Sequence, residues 1–307
     1  MPPIPPEQSA AARACAAGFP ERDTTPAQRQ SSPLRGAVRL ATEAARRARL
    51  LARRGSELAG LAPSPLWGVW LRVLPFALLA FSWLGRTRLA GLPATIELDG
   101  RRVQCLVGDP SELEVLREIF QDRPYDLRLP AAAVHTIVDL GSNAGLSVIF
   151  FKHLYPAARV IAVEPNPRVL PRLRANVRGL DGVTVVPAAV ASKDGQIALV
   201  DDTDTWAART DPSVSDAANV VRAITLASLF DEHGLQDVDL LKFDIEGAEF
   251  AALESGDLSR IDHLVGELHP EYGDVCSLVS SLAADFEVTL AGVWTPTLRA
   301  RRRRRTA

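Results

Sequence analysis

Five short apolar runs limit what this chain can fold into. "HTIVDL", "ARVIAVEP", "VTVVPAAV", "VDLLKFDI" and "HLVGELHP" lie between His135 and Pro270, among segments of helical spacing such as "AGLSVIFFKHLYP" and "RVLPRLRANVR". Near-continuous apolar runs belong to strands buried on both faces, and strands that alternate with helices run parallel. The expected fold is therefore α/β, a mostly parallel sheet with helices on both faces. Such sheets hold ligands beyond the carboxyl ends of their strands, where the strand order reverses. With 307 residues, 47% of them hydrophobic, the chain can bury one core of this size and carry an extension as well.

That extension is N-terminal. Residues 1–35 are rich in Pro, Ala, Gln and Ser without apolar periodicity, and read as disordered. Residues 36–92 read as a basic and apolar helical extension. Within it, "LWGVWLRVLPFALLAFSWLG" from Leu66 to Gly85 is interrupted by Arg72 and Pro75, which makes a poor membrane span. Packing against a protein surface, or peripheral membrane contact through 66–84, is expected instead. The main domain spans 93–298 and opens on a hairpin signal at Asp99-Gly100 in "ATIELDGRRVQCLV". Residues 299–307, from "LRARRRRRTA", read as a solvated arginine-rich tail. Cys15, Cys105 and Cys276 show neither disulfide nor metal spacing, and the first twenty residues hold no continuous apolar core. A cytoplasmic location is expected. The formal net charge of -2 argues against a generally basic surface, so no nucleic-acid partner is expected.

The first apolar run breaks into "DLGSNAGLS". Gly141 and Gly145 permit a sharp turn and the close approach of a ligand, with Asp139 at the strand end. About twenty residues on, "VIAVEPNP" puts Glu164 at the end of the second strand, where a carboxylate can accept from both ribose hydroxyls. A nucleoside cofactor is expected, held by Asp139, Gly141, Asn143, Gly145, Glu164 and Asn166. A nicotinamide dinucleotide wants G-x-G-x-x-G to seat its pyrophosphate, whereas the spacing here is G-x-x-x-G. An anionic Asp139 repels phosphate and suits the cationic amino group of a methionine moiety. S-adenosyl-L-methionine is the expected cofactor.

"VDLGSNAGLS", "VIAVEPNPRVLPRLRANV", "ITLASLF", "VDLLKFDIEGAEFAALESG" and "GELHPEY", in this order and spacing, resemble the FkbM family of S-adenosylmethionine-dependent methyltransferases. The resemblance runs from about Val107 to about Ala291. It implies a class I methyltransferase (Rossmann-like) sheet and methyl transfer to an oxygen of a sugar or secondary metabolite, so the expected partner is a small-molecule or glycan acceptor. It also implies that Trp206 and Arg209, which match a Trp-x-x-Arg segment of the family, lie on the substrate side. A tryptophan can cover a ligand face and an arginine can bind a carboxylate or phosphate. The sequence departs from the family in having Ala227 in place of an aspartate. After "FEVTLAG" it also leaves little length for the hairpin that closes such sheets.

"LLKFDIEGAEF" places Asp244 and Glu246 at the carboxyl end of the fourth strand. Adjacent carboxylates raise each other's pKa, which suits a general base for an acceptor hydroxyl. They could equally hold a hard cation, and magnesium is compatible, although no metal site is expected. A plainer alternative is that Glu246 or Glu249 caps the following helix. Glu267 and His269, after the fifth strand, share one side of an extended chain. Glu267 is assigned to substrate, and His269 could take a proton from an attacking hydroxyl. Asp244, Glu246 and His269 are thus the catalytic candidates. The competing reading is a cofactor-binding scaffold whose N-terminus contacts a membrane or a partner, but a scaffold has no need of acids around a glycine turn.

Overall fold

A computed structural model describes residues 33–83, 91–200, 209–211, 220–292 and 295–303. The expected disordered segment falls outside these up to residue 32, as do residues 304–307 of the tail. The chain divides into two compact units, the second beginning at Arg123.

The N-terminal unit contains α1 (Pro33–Ala59), α2 (Pro65–Trp83), the antiparallel strands β1 (Leu92–Leu98) and β2 (Arg101–Val107), and α3 (Glu112–Arg117). The β1–β2 turn lies at Asp99 (φ 49°) and Gly100 (φ 73°), the paired left-handed conformation that the Asp-Gly dipeptide favours. Gly55 lets α1 approach the α2 backbone, since a Cβ there would lie 2.7 Å from the Arg72 carbonyl oxygen. The helix α2 continues through Pro75, with Leu71, Leu74 and Leu78 buried. The hairpin belongs with these helices: the Trp70 indole donates to the Pro93 carbonyl at 2.7 Å, and the Glu97 N–H donates to the Leu61 carbonyl at 2.6 Å. An Arg54–Glu114 ion pair of 2.5 Å adds α3 to the same unit. Residues 93–122 therefore pack with the extension, where the sequence placed the domain start near residue 93.

In the second unit the chain runs through β3 (Thr136–Leu140), α4 (Leu146–Leu154), β4 (Arg159–Val163), α5 (Leu170–Asn176) and β5 (Val183–Val186). The short strands β6 (Ala189–Val190), β7 (Gly195–Val200), β8 (Arg209–Asp211) and β9 (Val220–Ile224) follow. Then come α6 (Leu226–Glu232), β10 (Val238–Phe243), α7 (Glu249–Ser255), β11 (Ile261–Glu267), α8 (Val275–Leu282), β12 (Phe286–Ala291) and β13 (Thr297–Arg302). The main sheet has the order β12-β13-β11-β10-β3-β4-β5, parallel from β11 to β5, with β13 antiparallel to both its neighbours. All five apolar runs read from the sequence contribute strands to it. Ile137, Val160, Leu241 and Leu264 are fully buried, as strands covered on both faces require. The order reverses between β3 and β10, so a ligand crevice is expected at the carboxyl ends of those two strands.

One segment adds to the sequence reading and another differs from it. The polar stretch after Asp194 supplies β7, β8 and β9 of a second sheet, ordered β6-β9-β7-β8. Asp194 fastens its return by accepting from the Thr225 N–H (2.7 Å) and the Ser228 hydroxyl (2.6 Å) at the start of α6. The arginine run is partly a strand: β13 carries it between β11 and β12 and completes the closing hairpin. Alternation explains this, because Leu298 and Ala300 turn inward while Arg299 and Arg301 point away. Arg302 donates to the carbonyls of Ile261 and Leu258, and its guanidinium lies 4.5 Å from the Phe286 ring centroid. Because β13 is the only ladder connection between β12 and β11, removing residues 297–307 should strip β12 from the sheet. The truncated protein should lose its cooperative thermal transition by circular dichroism, whereas removing 304–307 alone should leave the melting curve unchanged.

Candidate active site

The glycine turn is fixed first by the protein's own packing. Gly141 has φ 75°, and a Cβ there would lie 1.8 Å from the Asp244 carbonyl oxygen. Gly145 has φ 86°, and a Cβ there would lie 2.7 Å from Leu173 Cδ1 on α5. The first glycine lets the turn rest on the end of β10, where the Asp244 N–H donates to the Leu140 carbonyl at 3.1 Å. The second lets the start of α4 pack on α5.

Glu164, buried after β4, braces this turn. Its Oε2 accepts from the Asn143 N–H at 2.8 Å and its Oε1 from the Asn166 N–H at 2.7 Å. Burial pushes its carboxyl up to about 7, against the pull of those two donors and of Lys242. A carboxylate offers about four acceptor positions, so two remain for hydroxyl donors. Beside it, Asn143 Oδ1 and Asn166 Nδ2 are buried without hydrogen-bond partners. Such atoms cost free energy unless a partner arrives. An open acceptor, an open donor and a buried carboxylate around one turn fit the hydroxyls and ring nitrogens of a nucleoside.

Asp139 does not belong to that group. Expected at the crevice mouth, it is fully buried, because in the β3–β10 register it stands opposite Lys242 and both side chains leave the sheet on one face. Its Oδ2 accepts from the Ser147 hydroxyl at 2.5 Å, and its Oδ1 lies 3.2 Å from Lys242 Nζ. Lys242 also donates to the carbonyls of Leu140 (3.2 Å) and Gly141 (2.8 Å). Burial works against its ammonium, but Asp139, Asp244 and Glu267 outweigh it and hold the pKa above the usual lysine value. Asp139 is an internal counter-ion of Lys242, and its Oδ1 makes no hydrogen bond of its own. Lys242 was missed by sequence reasoning, although a lysine inside "VDLLKF" is itself a signal, since such a strand buries a charge only with a partner.

The structure brings the acids of the two right-hand strands together. Asp244 and Glu246 follow β10, Glu267 ends β11, and His269 lies two residues further on. Ligand atoms of Asp244, Glu267 and His269 all lie within 4.8 Å of one another. The Tyr125 hydroxyl, also missed from sequence for want of any motif around it, reaches Asp244 Oδ2 at 3.2 Å and Glu267 Oε1 at 3.4 Å. Glu246 has left-handed backbone (φ 52°), and its Oε2 lies 3.4 Å from His269 Nε2. Burial, aided by Asp244, raises the Glu246 carboxyl to about 7.

His269 departs from the expected role. Its Nδ1 lies 2.9 Å from Glu249 Oε1, on the side away from Glu246. Burial opposes its charge, but the hydrogen bond and charge of Glu249, joined by Glu246 and Asp244, hold its pKa at about 9. It is an imidazolium at neutral pH and cannot take a proton there. Glu249 is the capping acid of the pair weighed from sequence: fully buried, it also accepts from the Ile245 N–H (3.1 Å) and the Gly247 N–H (2.9 Å). Glu246 makes neither contact and faces His269. Asp244 and Glu267 form a hydrogen-bonded acid network through the Tyr125 hydroxyl, with His269 beside it. Of the substrate candidates, Glu267 joins this network, Arg209 opens β8, and Trp206 lies outside the described residues.

A sheet with its crevice at the β3/β10 reversal, a braced glycine turn and an acid-lined neighbouring strand end define an S-adenosylmethionine-dependent methyltransferase. Residues 139–288 match the model of the methyltransferase FkbM domain. Methyltransferase sdnD of Sordaria araneosa is 29% identical over 179 residues, 47% of this chain and 68% of that protein. The 31-O-demethyl-FK506 methyltransferase FkbM of Streptomyces tacrolimicus is 28% identical over 54% of this chain and 78% of its own length. The 2-O-methyltransferase NoeI of Sinorhizobium fredii is 28% identical over 39% and 56%. Among solved structures, the Methanococcus jannaschii fibrillarin pre-rRNA processing protein covers 70% of this chain and 84% of its own at 11% identity, with a TM-score of 0.42.

Two measurements check these assignments. Lys242→Met leaves Asp139 buried and uncompensated, so denaturant unfolding should show a loss of about 3–5 kcal/mol, part of it recovered in Asp139→Asn/Lys242→Met. His269, with its folded pKa raised, stabilises the protein fully below its unfolded value and less as pH rises through about 9. The gap in melting temperature between the wild type and His269→Asn should therefore be widest near pH 6 and close above pH 9.

Proposed function

We propose that the protein transfers a methyl group from S-adenosyl-L-methionine to a hydroxyl oxygen of a sugar or other small molecule, with Glu246 as the general base. The observation that carries this reading is a carboxyl raised to about 7, placed beside Asp244 and held by the imidazolium of His269. A base works best when its pKa lies near the working pH. An acid of this strength suits a neutral hydroxyl, which must lose its proton as its oxygen gains the methyl. The names of two relatives, a 2-O-methyltransferase and a 31-O-demethyl-FK506 methyltransferase, point the same way.

The bound cofactor supplies an electrophilic methyl on a sulfonium centre. Glu164, Asn143 and Asn166 take its nucleoside part, and Gly141 and Gly145 shape the turn beneath. Asp244, Tyr125 and Glu267 orient the acceptor hydroxyl, and alignment of this kind provides most of the acceleration in a two-substrate transfer. Glu246 takes the proton, and His269 stabilises the carboxylate before it does. Trp206 and Arg209 are assigned to the acceptor's remaining groups.

Turnover, measured as S-adenosylhomocysteine released with a panel of glycosides and macrolide alcohols, tests the reading. Glu246→Gln should lower kcat by about 10²- to 10⁴-fold and leave cofactor affinity within about twofold. The pH profile should rise through about 7 as Glu246 ionises and fall near 9 as His269 loses its proton. Equal activity of Glu246→Gln on every acceptor that the wild type methylates would remove Glu246 from the mechanism.

A further inference from the structure

The helix α2 presents apolar residues on both its packed and its exposed side. One side buries Leu71, Leu74 and Leu78. The other exposes Leu66, Val69, Val73, Phe76 and Leu79, which recur every three or four residues and so form one stripe. Leu66 is 83% exposed and Val69 59%, values that no helix facing only water would give to its apolar residues. A contiguous exposed stripe of this kind marks a contact surface.

The charge of the helix pair says what covers the stripe. The α2 sequence contains Arg72 and no acid. The helix packed on it, α1, carries seven arginines and two glutamates over residues 33–59. It exposes Arg46, Arg49 and Arg53, together with Leu50. Of the two acids, Glu57 is taken up by Arg53 at 2.7 Å, while Glu43 is exposed. Among the described residues no helix is long and apolar enough to cross a membrane. We propose that the α1–α2 pair lies in the plane of an anionic bilayer, its apolar stripe at the acyl boundary and its arginines on lipid phosphates. The stripe runs along one helix, which suits a fluid apolar phase. A lipid surface also supplies hydrocarbon and anions together, and Arg72 can extend its charge to the headgroups along its aliphatic stem.

The test is co-sedimentation of the full-length protein with unilamellar vesicles of phosphatidylcholine, with and without phosphatidylglycerol. Binding should require the anionic lipid and weaken as salt is raised. Arg46→Ala and Arg49→Ala should each lower the partition coefficient about fivefold. Val73→Glu/Phe76→Glu should abolish binding; both side chains are exposed, and a far-UV circular dichroism spectrum matching the wild type is the folding control. The proposal is overturned if anionic vesicles fail to bind the wild type, or if the stripe variant binds them as well. It is equally overturned if that variant changes the protein's mass in sedimentation equilibrium without changing vesicle binding, which would assign the stripe to a second copy.

Discussion

The Asp139–Lys242 pair is the interaction on which the site depends. It joins the two strands between which the sheet order reverses, and it does so with both charges removed from water. Such a pair contributes little net stability, because desolvating the two ions offsets most of their attraction. What it provides is position. Lys242 holds the carbonyls of Leu140 and Gly141, so the first turn after β3 cannot drift from the end of β10. The close approach of Gly141 to the Asp244 carbonyl is the other half of the same joint, and a side chain at residue 141 would force it open.

Six acids lie near this joint, and their surroundings give them different work. Asp139 neutralises a lysine. Glu249, satisfied by two backbone donors and an imidazolium, holds the turn into α7. Glu164 has two backbone donors and no full counter-charge, so burial wins and its carboxyl rises. Glu246 is raised as well, by burial and by Asp244, and it alone sits on strained left-handed backbone. Asp244 shares the Tyr125 hydroxyl with Glu267, one proton between two acceptors. Residue type decides none of this; the count of donors and the distance to a cation do.

The fold was legible in the sequence because the signals that specify it are local. Continuous apolar runs, the glycine turn and the Asp-Gly hairpin each act through their own neighbours. The placement of the glycine turn and of Glu164 at neighbouring strand ends was legible for the same reason, since strand ends in a parallel sheet are predictable positions. Asp139 was misplaced because its direction depends on the residue opposite it in another strand, a hundred residues away. Charge on His269 was invisible because Glu249 reaches it only after α7 has turned back. The arginine strand was missed because composition hid its alternation: Leu298 and Ala300 are weak apolar marks beside so many arginines.

Protonation ties these parts together. Glu164, Glu246 and His269 all have folded pKa values raised above their unfolded ones, so each favours the folded state when protonated and withdraws that support as pH rises. Near neutrality the crevice is thus held in a state of incomplete ionisation that the protein alone does not relieve. Hydroxyl donors would relieve it: those of a nucleoside at Glu164 stabilise its carboxylate, and that of an acceptor at Glu246 supplies the proton which the base is poised to take. Binding energy of that kind is spent on ionising the site, so the ligands themselves complete the electrostatics that the strands of the sheet only set in place.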